Sequence, residues 1–179
     1  MKEIRFHGRG GQGVVTAAEI LAVSAFYDGK YSQAFPVFGT ERRGAPVTAF
    51  SRIDGEFIAI RNQIYEPDYV VVQDPTLLDV IDVAQGLKDD GRILINTEKD
   101  PSALEIDTKA ELRTINATKI ALRHLGRPIV NTTMLGAFIA LTGEVSLDSL
   151  RNAISKRFSE KLASKNLNAV EAAYNMMEQ

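Results

Sequence analysis

The sequence predicts an α/β fold: a Rossmann-like open, mostly parallel sheet with helices on both faces and an antiparallel hairpin addition. Three observations carry that expectation. A glycine-rich turn, Gly8-Arg9-Gly10-Gly11-Gln12-Gly13, stands between a β-type run, Ile4 to His7, and a stretch with helical spacing, Val14 to Tyr27. Two short runs, the β-branched Tyr69 to Gln73 and the apolar-centred Arg92 to Asn96, are bounded by proline, glycine and aspartate, as strands buried on both faces of a parallel sheet are. Asp54-Gly55 between Val47–Ile53 and Glu56–Ile60 is a short-range hairpin signal.

The elements follow in chain order. Gly8, Gly10 and Gly13 have the spacing G-x-G-x-x-G, which permits a tight turn and close approach of the backbone to an anion, and the following helix points its unpaired N–H groups at that place. Val14, Ala17, Ala18, Leu21, Ala22 and Ala25 mark one helical face, which Asp28-Gly29 ends. Lys30 to Ala34 reads as a short second strand. Phe35 to Pro46, with its prolines, glycines and charges, reads as a structured loop. Thr76 to Leu87 reads as a helix between the two buried strands, and Leu112 to Ala117 as a weaker strand leading into a helix over Thr118 to Leu125. Asn131 to Leu141 reads as a helix of small and apolar residues. Ser146 caps a further helix faced by Leu147, Leu150, Ile154 and Phe158, and Leu167, Val170, Tyr174 and Met177 mark a last one. No linker or repeat divides the chain, so residues 1–179 read as a single domain.

Composition excludes several classes of function. Lys plus Arg number 21 against 23 acidic residues, which leaves no basic excess for nucleic acid or an anionic membrane. There is no cysteine, so the chain supplies neither a thiol nucleophile nor the thiolates of an iron–sulfur cluster. No apolar run has the length of a membrane span or signal core, which points to a cytoplasmic protein.

The residues that could carry chemistry are few. A nicotinamide site needs an acidic residue at the end of the second strand, where this chain has Ser32-Gln33-Ala34, so a stand-alone NAD(P)-binding oxidoreductase loses its second requirement. His7 and His124 lack metal-ligand spacing, and His7 reads as a structural histidine beside the turn. Asp74, before Pro75, reads as a cap of the next element. No nucleophile and base can be paired, so no catalytic residue and no metal ligand is assigned. Glu41-Arg42-Arg43-Gly44 lies among Phe35, Pro36, Phe38 and Pro46. Paired arginines fork onto phosphate or carboxylate, and large apolar groups in an irregular segment call for a cover, either ligand or another subunit. Gly8, Gly10, Gly11, Gln12, Gly13, Arg42 and Arg43 are therefore the candidates for anion binding. Phe35, Pro36, Phe38 and Glu41 are the candidates for subunit contact.

Three ordered motifs, Gly8 to Val14, Gln33 to Pro46 and Asn131-Thr132-Thr133-Met134-Leu135-Gly136-Ala137, together resemble the gamma subunit of 2-oxoacid:ferredoxin oxidoreductases over almost the whole chain. The form Glu41-Arg42-Arg43-Gly44-Ala45-Pro46 resembles the pyruvate and branched-chain members rather than the 2-oxoglutarate type. The resemblance implies a complex that oxidatively decarboxylates a 2-oxoacid, transfers the acyl group to coenzyme A and passes electrons to ferredoxin. It also implies alpha, beta and delta-type (ferredoxin-like) partners that hold thiamine diphosphate, Mg2+ and the iron–sulfur clusters, with no cofactor bound by this chain alone. The chain would then be a scaffold that helps bind coenzyme A or closes the acyl-transfer cavity, inactive in isolation and able to form a homodimer there. A purely non-catalytic interaction module is the other reading.

Overall fold

The structure is a computed structural model that describes residues 1–37 and 43–178. Six strands form one sheet: β1 (Lys2–Arg9), β2 (Tyr31–Pro36), β3 (Pro46–Asp54), β4 (Tyr69–Val72), β5 (Arg92–Asn96) and β6 (Glu111–Ile115). Their order across the sheet is β2-β3-β1-β4-β5-β6. β1, β4, β5 and β6 pair in parallel, while β3 runs antiparallel to both β1 and β2. The helices are α1 (Val14–Tyr27), α2 (Ala117–Leu125), α3 (Asn131–Thr142), α4 (Leu147–Arg157) and α5 (Glu160–Met177).

Strand periodicity sorts the core into two halves. Ile4 and Phe6 of β1, Ala49 and Ile53 of β3, Tyr69 and Val71 of β4, and Leu94 of β5 share one hydrophobic cluster with the helices. All six residues of the stripe expected on α1 are buried. Val70, Val72, Ile93 and Ile95 point the other way, onto Leu77 and Val83. α3 is buried from Asn131 through Ile139, with α5 packed along it.

Four sequence expectations are corrected here. Helices do not cover both faces: the second face is closed by two short 3-10 turns, Pro75–Asp79 and Pro101–Ala103, and by irregular chain. The helix expected over Thr76 to Leu87 stops after one turn. Asp82 accepts the Ala84 amide at 3.0 Å in a local turn, and the β-branched Val80, Ile81 and Val83 around it are poor helix formers. Nor does Glu56 to Ile60 form the second strand of a hairpin. Both edges of β3 are already occupied, by β1 and by β2, so the antiparallel addition is the β2–β3 pair and Asp54 ends the strand. β2 consequently extends through Phe35 and Pro36, two residues placed in a loop by sequence.

With no helix on that second face, two buried arginines fasten the irregular chain to it. Arg5 Nη2 donates to the carbonyls of Val83 and Gln85, at 3.0 and 2.6 Å. Arg52, 1% exposed, donates from Nε to Glu3 Oε1 at 2.7 Å and from Nη2 to the Asn62 carbonyl at 2.7 Å. Its guanidinium also lies over the Phe35 ring, 5.2 Å from the centroid.

Candidate functional site

The glycine turn sits at the carboxyl end of β1, beside the ends of β4 and β5, where open α/β sheets hold ligands. Gly13 adopts φ +73° and a Cβ there would lie 2.5 Å from Asn131 Nδ2, so the first residue of α3 packs directly under the turn. Gly8 is enclosed as well, since a Cβ on it would meet Val14 Cγ2 at 2.5 Å. Both glycines are thus required by packing, whether or not an anion binds.

Gln12 does not offer its amide to a ligand. Its Oε1 accepts from the Arg9 amide at 2.7 Å and its Nε2 donates to Asp74 Oδ2 at 2.7 Å. Asp74 in turn accepts from the amide and hydroxyl of Thr76, at 3.0 and 2.6 Å, which is the capping role read from the sequence. Burial alone would raise its pKa, but the bonds from Thr76 and Gln12 and the nearby Arg9 hold it below the usual aspartate value. Arg9 spans the same corner, donating to Thr76 Oγ1 at 2.8 Å and to the Gly44 carbonyl at 3.1 Å. Gly10 closes it, with N to Ala45 O at 2.8 Å and O from Gly44 N at 3.1 Å.

What remains open is the mouth of α1. The first intrahelical bond is made by the Ala17 amide to Gly13 O, so the amides of Val14, Val15 and Thr16 have no acceptor in the helix. The first turn holds no acidic side chain to neutralise that end. These residues line a cavity of about 540 Å³ together with Gly10, Gly11, Gly13, Arg9 and Arg43. Arg43 is exposed and makes no ion pair among the described residues. The arrangement is a cradle of backbone donors with one exposed cation at its rim, suited to a phosphate or carboxylate.

Of the sequence candidates, the structure brings Gly10, Gly11, Gly13 and Arg43 to this cavity, and keeps Gly8 and Gln12 beneath it. Phe35 and Pro36 lie elsewhere, in β2, lining a cavity of about 620 Å³ with Phe50 and Arg61. Phe38, Glu41 and Arg42 lie outside the described residues. The unpaired amides expected at the start of the helix are those of Val14 to Thr16, whereas the supporting Asn131 was not singled out as a site residue by sequence. The asparagine's place in a motif was visible, but its contact with Gly13, 118 positions away, was not.

His7 is buried beside the turn, with Nδ1 3.5 Å from Thr48 Oγ1 and no partner for Nε2 among the described residues. Burial, reinforced by the neighbouring Arg5 charge, pushes its pKa down to about 3. It is a neutral buried imidazole, but its hydrogen bonding is met on one side only, short of the structurally satisfied histidine expected from sequence.

A family model described as pyruvate ferredoxin/flavodoxin oxidoreductase matches residues 3–176. The chain is 60% identical over 177 residues to the pyruvate synthase subunit PorC of Methanocaldococcus jannaschii, covering 99% of this chain and 97% of that one. The chain belongs to the gamma subunits of the pyruvate/2-oxoacid:ferredoxin oxidoreductase family. A second relative of this gamma chain is the common subunit gamma of the pyruvate/ketoisovalerate oxidoreductases of Thermococcus kodakarensis, 57% identical, with 98% of this chain and 96% of the relative covered. The crystal structure of the pyruvate oxidoreductase subunit PORC from Thermotoga maritima superposes on it with a TM-score of 0.87 at 40% identity, over 97% of this chain and 95% of that one. Membership assigns the gamma chain to an oxoacid:ferredoxin oxidoreductase complex. Among the described residues no helix is long and apolar enough to cross a membrane.

Proposed function

We propose that this gamma chain serves a complex that oxidises pyruvate or a branched-chain 2-oxoacid, and that its glycine turn holds a phosphate of coenzyme A near the acyl-transfer site. In that reaction the oxoacid loses carbon dioxide, its acyl group forms a thioester with coenzyme A, and two electrons pass to ferredoxin. The observation that carries the reading is the open α1 mouth with Arg43 at its rim, in a chain whose family performs this chemistry. The relatives' names, pyruvate synthase and pyruvate/ketoisovalerate oxidoreductase, support the choice of oxoacid.

The chain has no cysteine to ligate a cluster, which agrees with the division the resemblance implies: clusters in a delta-type ferredoxin-like partner, thiamine diphosphate with Mg2+ in alpha and beta partners. Within this reading the gamma chain binds and positions. It contributes no nucleophile, acid or base, and it is inactive alone.

The sheet order argues against a dinucleotide site. The acidic residue that holds a ribose stands at the end of a second strand lying beside the first. Here antiparallel β3 separates β2 from β1, and β2 ends in Ala34-Phe35-Pro36.

Coexpression with candidate alpha, beta and delta-type chains, followed by assays of ferredoxin reduction, tests the reading. The assembled complex is expected to require pyruvate or a branched-chain 2-oxoacid and coenzyme A, and the chain alone to show no turnover. Oxidation of a 2-oxoacid by the lone chain would overturn it.

A further inference from the structure

The two edges of the sheet, β2 and β6, are built differently. β6 carries Glu111 and Arg113, and Glu111 binds both Arg113 and Arg92, the kind of charge that discourages a further strand. β2, Tyr31-Ser32-Gln33-Ala34-Phe35-Pro36, carries none. Its register decides which backbone groups it leaves open. The Val37 amide donates to Thr48 O at 3.0 Å, and stepping back by two turns the amides and carbonyls of Phe35 and Gln33 toward β3. Those of Ser32 and Ala34 therefore point away from the sheet and find no hydrogen bond among the described residues. Pro36, the next outward position, has no N–H to offer.

We propose that β2 is the pairing edge for a second copy of this chain, the two strands lying antiparallel about a two-fold axis at Gln33. In that register Ser32 faces the second copy's Ala34, so every outward N–H of these two residues meets an outward carbonyl and Pro36 stays out of the ladder. Centring the axis on Ala34 instead would set Pro36 opposite Ser32 and lose two bonds, which selects the first register. The side chains agree with it. Tyr31, 50% exposed, falls opposite the second copy's Phe35 on the face away from the helices, giving two symmetric aromatic pairs. Phe57, 73% exposed and edge-on to Tyr31 with ring centroids 6.1 Å apart, widens the apolar surface beside them. Small residues, Ser32 and Ala34, meet on the helix side. The proposal uses no residue of the glycine turn, so it stands or falls apart from the coenzyme A reading.

Because the chain has no cysteine, a single engineered thiol reports the register. Facing residues of a non-hydrogen-bonded antiparallel pair have Cα atoms about 4.5 Å apart, within disulfide reach. The full-length chain is expected to sediment as a dimer, and Gln33→Cys to cross-link to itself on mild oxidation and release with reductant. A mixture of Tyr31→Cys and Phe35→Cys chains is expected to cross-link as a heterodimer, and neither alone. A monomer at high micromolar concentration would overturn the proposal. So would a dimer in which neither experiment gives a cross-link, or protection of this edge only by an extended segment of a different subunit.

Discussion

Gln12 and Asp74 join the glycine turn to the end of β4 through a single amide, Nε2 to Oδ2 at 2.7 Å, while the other end of the same amide accepts from the Arg9 backbone. The turn's shape is therefore held by a side chain from inside it. Replacing Gln12 by Met is expected to cost about 1–3 kcal/mol, because the Arg9 N–H and Asp74 each lose a partner. Gln12→Glu is expected to cost more at neutral pH, since it sets a carboxylate against Asp74. Urea denaturation of the two variants should show that order, and an unchanged midpoint for both would contradict it.

Two glycines of the turn separate backbone strain from packing. Gly11 and Gly13 both have positive φ, +94° and +73°, but a Cβ on Gly11 meets only Arg43 Cγ at 4.0 Å whereas one on Gly13 meets Asn131 at 2.5 Å. Gly11→Ala should cost about 1 kcal/mol from the backbone alone. Gly13→Ala should cost more and shift α3. Thermal melts compare them directly, and equal losses would contradict the close packing of Asn131.

His7 gives the fold an acid sensitivity of defined sign. Its folded pKa is about 3, against about 6.5 in an unfolded chain. Between those values the unfolded chain takes up a proton that the folded chain refuses. Stability therefore falls as pH falls through the window, by at most about 1.4 kcal/mol per pH unit, and the effect is absent above it. His7→Gln is expected to lose less stability than the parent between about pH 7 and about pH 4.5. Parallel curves for the two proteins would contradict a buried neutral imidazole.

Arg52 is expected to be the most costly single charge to remove. Truncation to Leu leaves the part-buried Glu3 without its partner and frees the Asn62 carbonyl, a loss of about 1–3 kcal/mol. The segment it fastens includes exposed Arg61, so Arg52→Leu should also speed tryptic cleavage there. Unaltered cleavage would show that the segment is held by other contacts.

These particulars explain what the sequence made legible. The turn, α1, β4 and β5 were readable because each has a short-range signature: glycine spacing, a helical stripe, unbroken apolar runs. The partner of β3 was not, because Asp54-Gly55 satisfies a local rule that the occupied edges of β3 override. The helix after Asp74 failed for a local reason, the Asp82 turn, that periodicity does not register. Within the site, residue types pointed to the right place but not to their division of labour. Gln12 resembles a ligand donor until Asp74, 62 positions away, is seen to bind it, which leaves the helix-start amides, expected from the turn's position, as the open donors.

The most direct measurement is the coenzyme A dependence of the assembled oxidoreductase carrying Arg43→Ala in this chain. Removing one charge-assisted contact of about 1.5–3 kcal/mol predicts a Michaelis constant for coenzyme A raised about tenfold or more, with assembly and the rate at saturating coenzyme A preserved. A fully assembled complex with an unchanged Michaelis constant would contradict the placing of coenzyme A at the glycine turn.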